Sequence, residues 1–202
     1  MRSPRADALA ASWYGRAAGT IARDLLGTVL VSTVDGVRTE GRIVETEAYV
    51  GPHDDASHAA QRIGRTDRND AMYGRPGIAY VYRIYGIHWC LNVVTDRVDY
   101  PAAVLIRAVE PLHGIEHMRA RRSVGQKRLP DVALTNGPGK LAGALGITGQ
   151  LNAHPLDREP LFILEGQRIP DAQVECGPRI GITRAVDWPL RFCVRSSAWV
   201  SR

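Results

Sequence analysis

The chain has 202 residues, of which 45% are hydrophobic and 23% charged. Both values lie near the globular average of about 45–50% and about 25%, which excludes a disordered chain, a collagen-like fibre and a coiled-coil rod. Lysine and arginine number 26 and aspartate and glutamate 21, a net charge of +5; this modest excess suits a nucleic-acid partner without requiring one.

The length predicts one domain spanning 1–202. Residues 1–19, an Ala/Arg mixture broken by Pro4 and Asp7, read as a loose lead-in without the apolar core of a secretory signal. No run reaches the ~18 apolar residues of a membrane span. Thr20 is placed to cap a short helix over 21–26, closed by Gly27. A strand over 28–34, the turn pair Asp35-Gly36 and a long return strand over 37–50 make a hairpin. Residues 51–77 are irregular and polar, a length of loop that is usually functional or disordered. Strands follow over 78–84 and 89–95, joined by a turn at Tyr85-Gly86-Ile87-His88, and a third covers 102–109. Pro111 opens a basic helix with Leu112, Ile115 and Met118 as its apolar stripe. Asn136-Gly137-Pro138-Gly139-Lys140 precedes another short helix, and strand-like runs occupy 161–165, 179–182 and 190–194. Hairpin-paired strands with a few helices predict an α+β fold with a mostly antiparallel sheet. Cys90, Cys176 and Cys193 lack disulfide or metal spacing, so reduced thiols and a cytoplasmic location are expected.

Strand alternation places Glu45, Glu47 and Tyr49 on one face. They are either a solvated edge or a general base with an aromatic neighbour. Tyr80 and Tyr82 share a face, whereas Tyr85 sits at the hairpin tip, where a large ring gains no packing. Such a tip can act as a wedge between base pairs. His58 lies in an acidic loop but has no second histidine at a ligand spacing, so no metal is expected. Arg107, on a face with Ala103, Leu105 and Val109, requires an anionic partner, whether Glu47, a phosphate or both, unless it is open to solvent. Asn92 is likewise a polar residue between Leu91 and Val93. The loop at Gly137 and Lys140 lacks Walker spacing, yet it can offer backbone N–H groups and an ammonium to a phosphate.

Taken in order, several blocks closely resemble the 3-methyladenine DNA glycosylase family of the alkyladenine (N-methylpurine) type. They include Arg23-Asp24-Leu25-Leu26-Gly27, Glu45-Thr46-Glu47-Ala48-Tyr49, His58, Arg68-Asn69 and Met72. Tyr80-Val81-Tyr82, Tyr85-Gly86, Asn92, Leu105-Ile106-Arg107-Ala108, Gly137-Pro138, Pro189-Leu190-Arg191-Phe192 and Trp199-Val200-Ser201 continue the series. The resemblance covers about residues 20–201. It implies a single α+β domain with a curved, mostly antiparallel sheet, flanking helices and a protruding β-hairpin, similar in fold to the C-terminal domain of methionyl-tRNA formyltransferases. It also implies hydrolytic removal of alkylated purines, such as 3-methyladenine, and often of hypoxanthine, from duplex DNA without cofactor, metal or lyase step. 7-Methylguanine and ethenoadenine are further candidate substrates, and a monomer suffices for the chemistry. By resemblance, Glu47 is the general base and Arg107 helps to position the water. Tyr49, His58, Tyr82 and Asn92 line the base pocket, and Tyr85 intercalates. Ile87 and His88 flank that wedge, where family members vary. Arg65, Thr66, Arg68, Gly137 and Lys140 are carried over as duplex contacts. Two rival readings are a non-catalytic nucleic-acid-binding module of the same fold and a hydrolase of free nucleosides.

Overall fold

The computed structural model describes residues 3–123 and 128–201. Strands β1 (Val29–Ser32), β2 (Thr39–Tyr49), β3 (Ala79–Ile84), β4 (His88–Thr95) and β5 (Ala102–His113) build the centre of one antiparallel sheet. Strands β6 (Asp157–Arg158), β7 (Leu161–Leu164), β8 (Val174–Gly177) and β9 (Arg191–Val194) complete it. The order is β3-β4-β5-β2-β1-β7-β6, and β9 pairs with both β8 and β2. Helices α1 (Ala18–Asp24), α2 (Ile115–Arg122), α3 (Val132–Thr135) and α4 (Pro138–Leu145) contribute to the main core. The architecture is α+β, as expected.

Alternation along each strand divides the side chains between two faces. Val81, Leu91, Val93, Val104 and Ile106 join Ile21, Met118, Leu134, Leu141 and Leu145 of the helices in the main core. The next residues along, Tyr80, Val94 and Ala103, join Ala59, Met72 and Ile78 in a smaller cluster under the 51–77 loop.

The centre of β2 is doubly paired. Glu45, Thr46 and Glu47 face β5 on one side and Cys193, Phe192 and Arg191 of β9 on the other. Three offsets interrupt the β2–β5 ladder, two of them at this centre. Ile43 pairs Val109 and Glu45 pairs Ala108, leaving Val44 extra, while Thr46 pairs Ile106, leaving Arg107 extra. Such bulges re-aim side chains and are common beside active sites. They also explain why Val109 lies in the main core rather than on the face of Leu105 and Arg107.

Several expectations are corrected. The segment 1–19 is not loose where it is described: Leu9 donates its N–H to the Ile163 carbonyl at 2.8 Å, and Tyr14 is fully buried. Thr20 lies inside α1, which starts after Ala17 without a side-chain cap. Burial of Ala18, Ile21 and Ala22 places that helix, overriding local capping preference. Pro111 does not open a helix, because β5 runs through it opposite Gly41 at another offset in the ladder. Proline is tolerated in a strand at such an irregularity. The helix waits for Gly114, whose φ of 73° lets the chain turn. Residues 179–182 form no strand; 174–177 do. Asp35 and Gly36 both have positive φ and turn the chain as expected, but the strands stop at Ser32 and Thr39 rather than running to 34 and from 37.

Candidate active site

The second face of the sheet opens into a pocket of about 360 Å³ lined by Tyr49, His58, Tyr82, Asn92, Leu105 and Arg107. Residues Ile180, Gly181, Ile182, Thr183 and Arg184 close one side, and Tyr85 stands at its margin. The sheet and the irregular 180–184 segment together gather residues that are up to about 130 positions apart in sequence.

Glu45 and Glu47 are both 0% exposed, so the solvated-edge reading fails. Double pairing of β2 leaves no edge there. Arg107 bridges them: its Nε lies 3.2 Å from Glu45 Oε1, and its Nη1 lies 3.2 Å from Glu47 Oε2. The anionic partner of Arg107 is thus Glu47 together with Glu45.

The two carboxylates differ in what surrounds them. Glu45 is saturated. Its Oε1 accepts from Arg191 Nε at 2.7 Å and Ser201 Oγ at 2.8 Å, and its Oε2 from the Ser201 N–H at 2.6 Å. Glu47 accepts the Ile180 N–H on Oε1 at 2.7 Å and the Tyr49 hydroxyl on Oε2 at 3.2 Å. Burial pushes the Glu47 carboxyl above its ordinary range, while Arg107, the Ile180 N–H and Tyr49 pull it back.

The aromatic wall is neutral. Burial raises the Tyr49 and Tyr82 phenols well out of the titrating range and pushes Tyr80 up to about 12. Burial, aided by the Arg68 charge, lowers the His58 imidazole, which favours its uncharged form. Its Nδ1 lies 3.2 Å from the Tyr80 hydroxyl, and its ring meets Tyr82 edge-on at 4.5 Å. Asn92 is buried and donates from Nδ2 to the Tyr80 carbonyl at 3.1 Å. Neither Asn92 nor Arg107 is a solvent-open edge position.

At the hairpin tip, Tyr85 is 85% exposed and Ile87 66%. Tyr85 has φ 52°, a strained value for a bulky residue, and such strain gathers at functional sites. His88 is exposed where β4 leaves the turn, opposite Ile84, and Gly139 of α4 lies so close that a Cβ there would sit 2.9 Å from His88 Cβ.

The remaining residues lie around the rim rather than in the pocket. Arg65 pairs with Asp70 at 2.7 Å and Asp99 at 3.2 Å. Thr66 donates its backbone N–H to Asn69. Arg68 donates to the Arg83 carbonyl and lies 5.7 Å from the Tyr82 ring centre. Gly137 precedes α4, and the Lys140 ammonium folds back on Asn136 Oδ1 at 2.8 Å. Among the described residues, no group of three or more His, Cys, Asp or Glu is placed to hold a metal ion, and no helix is long and apolar enough to cross a membrane.

Sequence reasoning missed Asp54, Arg179, the Ile180 N–H and the roles of Arg191 and Ser201. Arg179 carried a usable signal: an arginine beside Ile180 and Ile182 calls for an anion, as Arg107 did.

A family model described as methylpurine-DNA glycosylase matches residues 12–198. A protein of Bradyrhizobium diazoefficiens is 49% identical over 95% of this chain and 89% of its own. One of Myxococcus xanthus is 46% identical over 95% and 92%, and one of Methanoculleus marisnigri 46% over 96% and 98%. Each is named "Putative 3-methyladenine DNA glycosylase". The chain belongs to the methylpurine-DNA glycosylase family.

Proposed function

We propose that this member of the methylpurine-DNA glycosylase family flips an alkylated purine out of duplex DNA and hydrolyses its N-glycosidic bond, leaving an abasic site. The observation that carries this reading is Arg107 in the lining of an aromatic pocket, paired at 3.2 Å with the wholly buried Glu47, beside an exposed tyrosine hairpin. An enzyme acting on a base inside a duplex must extrude it, at a cost of a few kcal/mol. Tyr85 fills the space left in the stack.

The extruded purine stacks against Tyr82 and Tyr49. An alkylated, cationic purine gains about 0.5–2 kcal/mol from cation–π attraction over a neutral one. In its favoured uncharged form, His58 sets no imidazolium against that cation. Glu47 in its ionised form takes a proton from water as the oxygen attacks the anomeric carbon. The bond to the base breaks, and its electron pair leaves with the purine nitrogen. Positive charge develops on the sugar, as in glycoside hydrolysis, and Glu47 offsets it. Arg107 orients the carboxylate and favours its ionised form.

Glu45 does not serve as a leaving-group acid in this scheme, because Arg107, Arg191 and Ser201 occupy its oxygens. A cationic leaving base needs no protonation. The substrate range over 3-methyladenine, 7-methylguanine, hypoxanthine and ethenoadenine, the monomeric state, the absence of a lyase step and a cytoplasmic location belong to the same proposal.

The test is release of free base from methylated duplex DNA by wild type and Glu47→Gln, with EDTA present. Release by wild type alone is expected, with damaged-DNA binding retained by the variant. Folded wild type that binds DNA and releases nothing makes the protein a binding module. Turnover of free nucleosides that ignores salt makes it a nucleoside hydrolase, since DNA binding weakens steeply as salt rises.

A further inference from the structure

We propose that Arg179, paired with Asp54 and packed against the Tyr49 ring, is a positioning residue for base release that fixes the Glu47 carboxylate through Ile180 and Tyr49. The inference rests on Glu47 as the group that activates water.

Arg179 and Asp54 have wholly buried side chains. Arg179 Nη1 donates to Asp54 Oδ2 and, at 2.9 Å, to the Ala48 carbonyl, and its Nη2 donates to Asp54 Oδ1 at 2.8 Å. Asp54 also accepts the Val50 and Ala56 N–H groups at 3.2 and 3.1 Å. One ion pair thus ties the end of β2, the loop after it and the 179–181 segment together. A buried pair of this kind seldom adds stability over apolar packing of the same volume. Arg179 Nε is, moreover, buried without a hydrogen-bond partner, which a purely stabilising pair would avoid. What the pair supplies is a fixed geometry.

That geometry reaches Glu47 by two routes. The residue after Arg179 donates its N–H to Glu47 Oε1 at 2.7 Å. On the other side, the guanidinium carbon lies 4.8 Å from the Tyr49 ring centre, and the Tyr49 hydroxyl donates to Glu47 Oε2. A cation against the ring withdraws electron density and makes the phenol a stronger donor. Both routes favour the ionised carboxylate. The other groups acting on Glu47 or sharing its field are Arg107 from β5, Arg191 from β9, Cys90 from β4 and Glu45, which shares Arg107.

The experiment compares wild type with Arg179→Gln, Arg179→Lys and Asp54→Asn. It reads the pH dependence of single-turnover base release, affinity for damaged duplex, melting temperature and the infrared titration of the Glu47 carboxyl, assigned by subtracting Glu47→Gln. Arg179→Gln is expected to slow release about 10- to 100-fold, the scale of a misplaced catalytic group. Affinity stays close to wild type, and both the acid limb and the infrared titration move to higher pH. Arg179→Lys, which keeps the charge, recovers part of that movement. A lower melting temperature with an unmoved acid limb and titration overturns the proposal and leaves a packing role. If Arg179→Gln does not fold, Arg179→Lys and Asp54→Asn carry the same readouts. If wild type releases no base, the infrared titration still decides whether Arg179 positions Glu47, and only the base-release reading falls.

Discussion

On the helix-covered face, β5 presents Val104 and Ile106 to the main core; one residue along, on the opposite face, it presents Leu105 and Arg107 to the pocket. Strands β3 and β4 repeat the division, with Val81 and Leu91 on one side and Tyr82 and Asn92 on the other. The helix side is closed by aliphatic packing. The pocket side buries charge, and each buried carboxylate there is met by an arginine: Glu45 and Glu47 by Arg107, Asp54 by Arg179. The same sheet therefore separates stability from chemistry across a single layer of backbone. Substitutions on the two faces should fail in different ways.

The largest effect is expected at Glu47. Glu47→Gln should slow base release by about 10²- to 10⁴-fold, the range of general-base catalysis, while leaving the fold at least as stable as wild type at pH 7.5. Burial raises this carboxyl in the folded state, so its contribution to stability is lost as pH rises through that raised value. A neutral glutamine escapes that loss, and the difference should vanish below the unfolded glutamate pKa. Urea denaturation at the two pH values, beside single-turnover kinetics, checks both halves. The acid limb of the wild-type rate should lie above the range of an ordinary glutamate.

Its neighbour two residues away should behave oppositely. Glu45→Gln removes the acceptor shared by Arg107, Arg191 and Ser201, which breaks a buried network at a cost of about 3–5 kcal/mol. Denaturant midpoints would reveal it, and unchanged stability would show that Glu45 is not structural. On the helix face, Leu91→Ala leaves a cavity in the main core and should cost about 2–5 kcal/mol. The release rate of the fraction that remains folded should match wild type. A large rate loss there would mean that the faces are coupled after all.

The smallest effect is expected at the hairpin tip. Tyr85→Ser removes a ring that packs on nothing in the free protein, so stability should shift by no more than about 0.5 kcal/mol. Affinity for duplex carrying a damaged base should fall about tenfold, equivalent to about 1.4 kcal/mol. Equal affinity in a binding titration would remove the wedge role.

The sequence by itself determined the α+β class and the central hairpins, and the period of two along a strand put Glu47 on a face with Tyr49 and Tyr80 on a face with Tyr82. That Asn92 and Arg107 belong with them was implied only by the family resemblance. Turn chemistry likewise marked the Asp35-Gly36 turn and the exposed position of Tyr85. What the tertiary structure decided were matters of partnership. The pairing of β9 with β2 turned an expected edge into a centre and buried both glutamates. The bulges turned Val109 away from Arg107. Arg179, more than a hundred residues from Asp54, had its anion chosen by the packing of two irregular segments. No local pattern encodes such a pairing, because the energy that selects it belongs to burial of a charge, and burial is a property of the whole fold.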